Sequence, residues 1–252
     1  MTMKKVSLFA LFGLTCMGLL ACNSTSSSSS SESSSSSTPT SSSAESVDYL
    51  AALSSEKALY SIRLDYRIAS GDGTTLYANG YSRKQVFSGT DDDGADVKIK
   101  SFLGSDTYLS NLDDNPTSTT TTYAVYHTPT RTYTLSANGT YAITSETHPD
   151  ENFEPMDLSF DYSHVSSYVT EADGYSTIVT LSFGNDSDAS SFLGEELGSS
   201  EAASGITGLS FSATLSSSLA LTEAEATYTK NGYKYTASWT YSSTMSTITL
   251  PS

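Results

Sequence analysis

Three histidines, a run of aspartates, two cysteines and a row of aromatics are the residues of this 252-residue chain whose types allow chemistry. His127, His148 and His164 include no pair spaced i, i+2 or i, i+4, so neither one strand face nor one helix face presents a zinc-binding pair. Serine is frequent enough that a Ser–His–Asp set can always be drawn. The Gly-x-Ser-x-Gly elbow that would hold such a serine does not occur. Asp91, Asp92, Asp93 and Asp96 are hard oxygen ligands of the kind Ca²⁺ prefers, but they do not follow the Asp-x-Asp-x-Asp-Gly spacing and read as a solvated acidic loop. No phosphate loop is present, since Gly71-Asp72-Gly73 leads into a strand pattern and not a helix. The expectation is a protein without catalytic residues, resident metal or cofactor.

The aromatics are more suggestive. Tyr233, Tyr235, Trp239 and Tyr241 recur at period two and share one face of a strand. Such a row either fills a core or lines a ligand groove. As a groove it would take a lipid or another hydrophobic or amphipathic ligand without covalent chemistry.

Cys22 has a different setting from Cys16. Lys4 and Lys5 precede an apolar run from Val6 to Leu20, and small Ala21 sits before Cys22. The run is short for a bilayer span of about 20 residues and has no charged stop after it. Leu19-Leu20-Ala21-Cys22 resembles the lipobox of bacterial lipoproteins. That resemblance implies removal of residues 1–21 and a diacylglyceryl group on the Cys22 thiol. It places the protein at the cell membrane, lipid-anchored and facing outside the cytoplasm. Two acyl chains hold firmly where one holds only marginally. With Cys16 removed and Cys22 lipidated, the mature chain has no thiol for a disulfide, for catalysis or for a metal.

Residues 23–46 are nearly all Ser and Thr and bury almost nothing, so they read as a disordered tether. A flexible coil of that length spans about 25–30 Å. The formal charge of −16 becomes −18 once Lys4 and Lys5 are removed, with 10 basic against 28 acidic residues. Such a surface repels nucleic acid and anionic lipid alike.

Residues 47–252 form one domain long enough for a core. Val47, Leu50, Ala51 and Leu53 recur at helical spacing, predicting an amphipathic helix within Ala44–Leu59 with Ser46 as its N-cap. From Ile62 to Ile68 apolar and charged residues alternate, the mark of a strand with one wet face. Further strands are predicted over 74–87, 97–100, 107–112, 119–127, 131–135, 140–144, 165–171, 175–183, 209–215, 223–230, 233–241 and 247–250, with an irregular stretch at 145–156. Asn138-Gly139 and Asn231-Gly232 mark hairpin turns. A late helix is predicted over Asp188–Leu197, capped by Asp188. The architecture that follows is mainly β: a single large curved antiparallel sheet, unclosed, with one N-terminal and one late short helix.

That order of lipobox, polar tether, amphipathic helix, long meander and late helix resembles the LolA/LppX type of lipoprotein carrier. The resemblance implies an unclosed half-barrel wrapping an apolar concave surface. Tyr123-Ala124-Val125-Tyr126, Tyr133 and Gly139-Thr140-Tyr141 are similar to the tyrosine-spaced strands of related lipoproteins in low-GC bacteria. An alternative function is a structural or adhesive surface module that presents its acidic, Ser/Thr/Tyr-rich sheet to a protein or glycan. An open apolar cavity favours carriage. A filled core with an exposed sheet favours presentation.

Overall fold

The structure is a computed structural model that describes residues 47–54, 57–91, 94–110, 117–158, 162–196 and 204–251. The expected signal segment 1–21, the lipidation site Cys22 and the tether 23–46 lie outside the described residues, as do Asp92 and Asp93.

Helix α1 (Tyr49–Ser54) is shorter than the apolar spacing predicts. Asp48, not Ser46, caps it, its Oδ1 accepting the Ala51 N–H at 3.0 Å. The last three residues of the predicted helix are instead strand β1 (Lys57–Leu59), which pairs with β8 (Met156–Leu158) in a two-stranded sheet. Leu59 is buried there, so tertiary pairing overrides a weak local helix preference. β8 begins at Met156, the last residue of the stretch read as irregular, and no strand is predicted there.

The chain then runs as two meanders. The first comprises β2 (Ser61–Ser70), β3 (Leu76–Thr90), β4 (Asp96–Ser110), β5 (Thr117–His127), β6 (Arg131–Leu135) and β7 (Tyr141–Ser145). The second comprises β9 (Val165–Asp173), β10 (Ser176–Phe183), β11 (Ile206–Leu215), β12 (Leu221–Lys230) and β13 (Tyr233–Ser242), with helix α2 (Asp186–Glu196) between β10 and β11. β13 pairs antiparallel with β2, joining the meanders into one sheet ordered β7-β6-β5-β4-β3-β2-β13-β12-β11-β10-β9. β7 and β9 are its free ends, so the large antiparallel sheet is not closed. Asn231 and Gly232, both at positive φ, make the tight turn between β12 and β13 that the sequence predicts.

Two details depart from expectation. Gly104, which falls between the predicted strands 97–100 and 107–112, lies inside β4, which runs unbroken for 15 residues. The Tyr123 ring of β5 packs directly across it, and a Cβ on residue 104 would stand 2.1 Å from that ring. The glycine makes room for an aromatic and does not end a strand. The last strand, β14 (Ser246–Thr249), pairs parallel with β3. β2 begins at Ser61, opposite Gln85, and leaves Phe87–Thr90 of β3 without a neighbour on that side. β14 takes the vacant edge.

The late helix begins at Asp186. Its cap is Asn185: Asn185 Oδ1 accepts the Asp188 N–H at 3.0 Å, and Asn185 Nδ2 donates to Asp188 Oδ2 at 2.9 Å. Asp188 therefore sits inside the first turn, where its charge suits the helix dipole. Phe192 and Leu193 of α2 and Leu53 of α1 are fully buried against the sheet face that carries Phe211, Ala213, Ala226, Ala237 and Trp239. The opposite face of the same strands carries Arg63, Asp65, Thr214, Glu223, Glu225, Ser238 and Thr240.

Candidate functional site

The aromatic row is one face, as its period requires. Tyr235, Trp239 and Tyr241 are buried, while Tyr233 stands at the rim with 39% of its surface exposed and its ring 5.4 Å from Tyr77. Tyr235 stacks on Tyr228 with centroids 5.0 Å apart. Trp239 packs at 6.4 Å on Phe211, which meets Phe192 of α2 edge-on at 4.9 Å. The helix thus lies where a ligand would lie. Burial raises the Tyr228 and Tyr235 hydroxyl pKa values, so both rings stay neutral.

Sequence spacing kept the histidines apart, but the fold joins two of them. After β7 the backbone turns back along residues 129–130, Glu146 N–H donating to the Thr130 carbonyl and His148 N–H to that of Pro129. This sets His148 Nε2 3.2 Å from His127 Nδ1 at the end of β5. Thr132 Oγ1 lies 3.0 Å from His127 Nδ1 and 2.9 Å from His148 Nε2, and donates to Glu146 Oε2 at 2.9 Å. One proton arrangement serves three of these four contacts and leaves Thr132 Oγ1 and His127 Nδ1 as two acceptors of the same His148 hydrogen. Thr132 gives its hydrogen to Glu146, His148 Nε2–H points between Thr132 and His127, and His127 accepts on Nδ1. Burial, then the neighbouring His148, pull the His127 pKa below its usual value, which agrees with a neutral ring. No group of three His, Cys, Asp or Glu among the described residues is arranged to hold a metal. Thr132 is itself buried, while the Glu146 carboxylate it donates to stands exposed, so the cluster runs from the protein interior to its surface. His164 lies elsewhere, 3.9 Å from Asp188. Of the acidic loop, Asp91 is described, and its carboxylate accepts the Ala95 N–H at 2.9 Å as a turn brace.

An open groove of about 350 Å³ lies between β3 and β14, lined in part by Arg83, Gln85, Phe87, Leu103, Tyr126 and Ile248. In register, Arg83 faces Arg63 across β2 and Leu103 across β4, while Gln85 faces Ser101, which faces Tyr126. Directly paired residues share a face. Trp239 pairs with Leu64 and Thr240 with Arg63, so the groove opens on the side opposite the aromatic row. The two arginines fare differently. Arg63 donates from Nε and Nη2 to both oxygens of Asp65 at 2.7 Å and lies over the Tyr81 ring, and the Asp65 hydrogen bonds raise its pKa. Arg83 reaches only Ser61 Oγ, at 3.4 Å, and has no carboxylate partner among the described residues. The fully buried Ser101 Oγ also has no hydrogen-bond partner among them.

Neither the His127–His148 pair nor the Arg83 groove is legible in sequence spacing. The first depends on a loop folding back over 21 residues, the second on a parallel strand arriving from the chain's far end.

No protein-family model and no curated protein matches this chain. Among solved structures, LprF from Mycobacterium bovis is similar over 81% of this chain and 93% of its own, at 11% identity and a TM-score of 0.34. A porin-like protein from Bacteroides uniformis ATCC 8492 is similar over 73% of this chain and 97% of its own, at 13% identity and a TM-score of 0.21. Both likenesses are too slight to assign a fold or a ligand.

Proposed function

We propose that the chain is an exported bacterial lipoprotein, anchored by a diacylated Cys22 and facing outside the cytoplasm, whose β domain is a non-enzymatic binding module. The observation that carries this reading is Leu19-Leu20-Ala21-Cys22 at the end of an apolar run and the start of a serine tract. The anchor fixes the module within the reach of residues 23–46, about 25–30 Å from the lipid. The ligand class best suited to a sheet with one apolar and one polar face is amphipathic.

Radiolabelled palmitate tests the anchor. The native chain takes the label; Cys22→Ala abolishes it and leaves the precursor uncleaved. A label that persists in the variant refutes the anchor. Native mass spectrometry of detergent-free protein tests the ligand class, with a co-purifying amphipath as the expected result.

A second reading is favoured by the filled aromatic face. Tyr235, Trp239 and Tyr241 are covered, while Thr117–Thr122 of β5 stand exposed in a row. On that reading the domain is an adhesive or structural module that meets a protein or glycan with its polar sheet. Retention of the domain by a glycan array, with no bound amphipath, selects it.

A further inference from the structure

We propose that the groove around Arg83 is a binding site for a small amphipathic carboxylate. This rests on the reading of the domain as a binding module and names where and what it binds. Three observations converge on it. Arg63 and Arg83 stand directly opposite each other on adjacent strands, a placement that repels unless each cation is compensated. Asp65 compensates Arg63 with a bidentate pair, and nothing comparable meets Arg83. An uncompensated guanidinium, half-buried in an open groove, points to an anion supplied from outside.

The surroundings narrow the anion. Phe87, Leu103 and Ile248 give the groove apolar walls beside the guanidinium, so a bare inorganic ion would leave them in contact with water. A single available guanidinium matches a monoanion. A dianionic phosphate ester would bring a second charge into a strongly acidic field with nothing to neutralise it. The planar fork of arginine fits both oxygens of a carboxylate. The ligand is therefore a carboxylate head on Arg83 with a short alkyl or aryl body against Phe87, Leu103 and Ile248. The site is on the opposite side of the sheet from the aromatic row and the helices that cover it.

The test is calorimetric titration of the full anchored chain in nanodiscs with 3-phenylpropionate, its neutral amide and acetate, with empty nanodiscs as blank. The expected result is saturable binding of 3-phenylpropionate, with the amide and acetate each weaker by about tenfold or more. Arg83→Gln weakens the carboxylate by a similar factor and leaves the amide unchanged. Arg83→Lys, which keeps the charge and loses the fork, falls between. Circular dichroism and melting temperature establish that each variant is folded. Equal affinity for acid and amide, or Arg83→Gln binding the acid as well as the native chain, overturns the proposal. So does the absence of any binding to the folded native chain. Palmitate labelling is independent of all these titrations, so the anchor and the groove stand or fall separately.

Discussion

Replacing Trp239 by alanine separates a core aromatic row from a ligand-lining one. Trp239 is 8% exposed and wedged against Phe211, itself pinned by Phe192 of α2. Truncating a buried Trp to Ala removes its transfer free energy and leaves a cavity, a cost of about 3–5 kcal/mol. For a domain of this size each kcal/mol moves the melting temperature by about 2–4 °C, so the expected fall is about 6–20 °C. An aromatic lining an open groove would behave as a surface residue, changing stability by about 0.5 kcal/mol or less. The two outcomes differ several-fold. Trp239 is the chain's single tryptophan, so its loss abolishes the tryptophan emission and the readout common to both chains is far-UV circular dichroism. Trp239→Phe serves as the companion, keeping an aromatic against Phe211 at a smaller cost. A fall below about 3 °C for Trp239→Ala would refute the core assignment, because it corresponds to a residue that packs on little.

The His127–His148 cluster predicts a pH dependence with a defined sign. His127 has a depressed pKa in the folded state, so between that value and about 6.5 the unfolded chain binds more protons at this residue. Its contribution is fully present above pH 6.5 and is lost as pH falls through that window. Urea midpoints from pH 8 to 5 should therefore fall more steeply for the native chain than for His127→Gln; parallel curves contradict the assignment. At Gly104, alanine places a Cβ 2.1 Å from the Tyr123 ring and should destabilise by about 1–3 kcal/mol, the usual range for overpacking. In a double-mutant cycle, Tyr123→Ala should absorb most of that cost, and strict additivity would mean that the contact is absent.

The strands were legible because a half-buried strand writes its two faces into alternate residues. Ile62 to Ile68 and Tyr233 to Tyr241 show this directly, and both are strands as read; that they pair with each other, across the seam that joins the meanders, is not written in either one. The turns at Asn138-Gly139 and Asn231-Gly232 were legible because their backbone needs residues that accept positive φ. What escaped was set by distant partners. Lys57–Leu59 is strand because Met156–Leu158 lies beside it. Gly104 sits mid-strand because Tyr123 needs the space. Asn185 takes the cap expected of Asp188 because Asp188's own N–H is the one that Asn185 satisfies. The candidate sites escaped for the same reason. His148 meets His127 only through a loop whose hydrogen bonds to residues 129–130 no local pattern announces.

The groove's position follows from a change of strand partner along β3. Up to Gln85, β3 is flanked by antiparallel β2; from Phe87 it is flanked by parallel β14. Two strands arriving from opposite directions cannot continue one another's side-chain surface, and a step is left where one ends and the other starts. Arg83, Gln85 and Phe87 straddle that step; Ser246 of β14 pairs with Phe87 there, and Ile248 follows it along the groove. The surface cannot close on itself there, and a concave site is left. The filled aromatic face has no such step, because β2, β13, β12 and β11 pair in sequence and α2 seals them. Side-chain composition alone favoured the row around Trp239. Connectivity shifts the argument to Arg83, where an interruption in strand pairing coincides with a cation that lacks a partner.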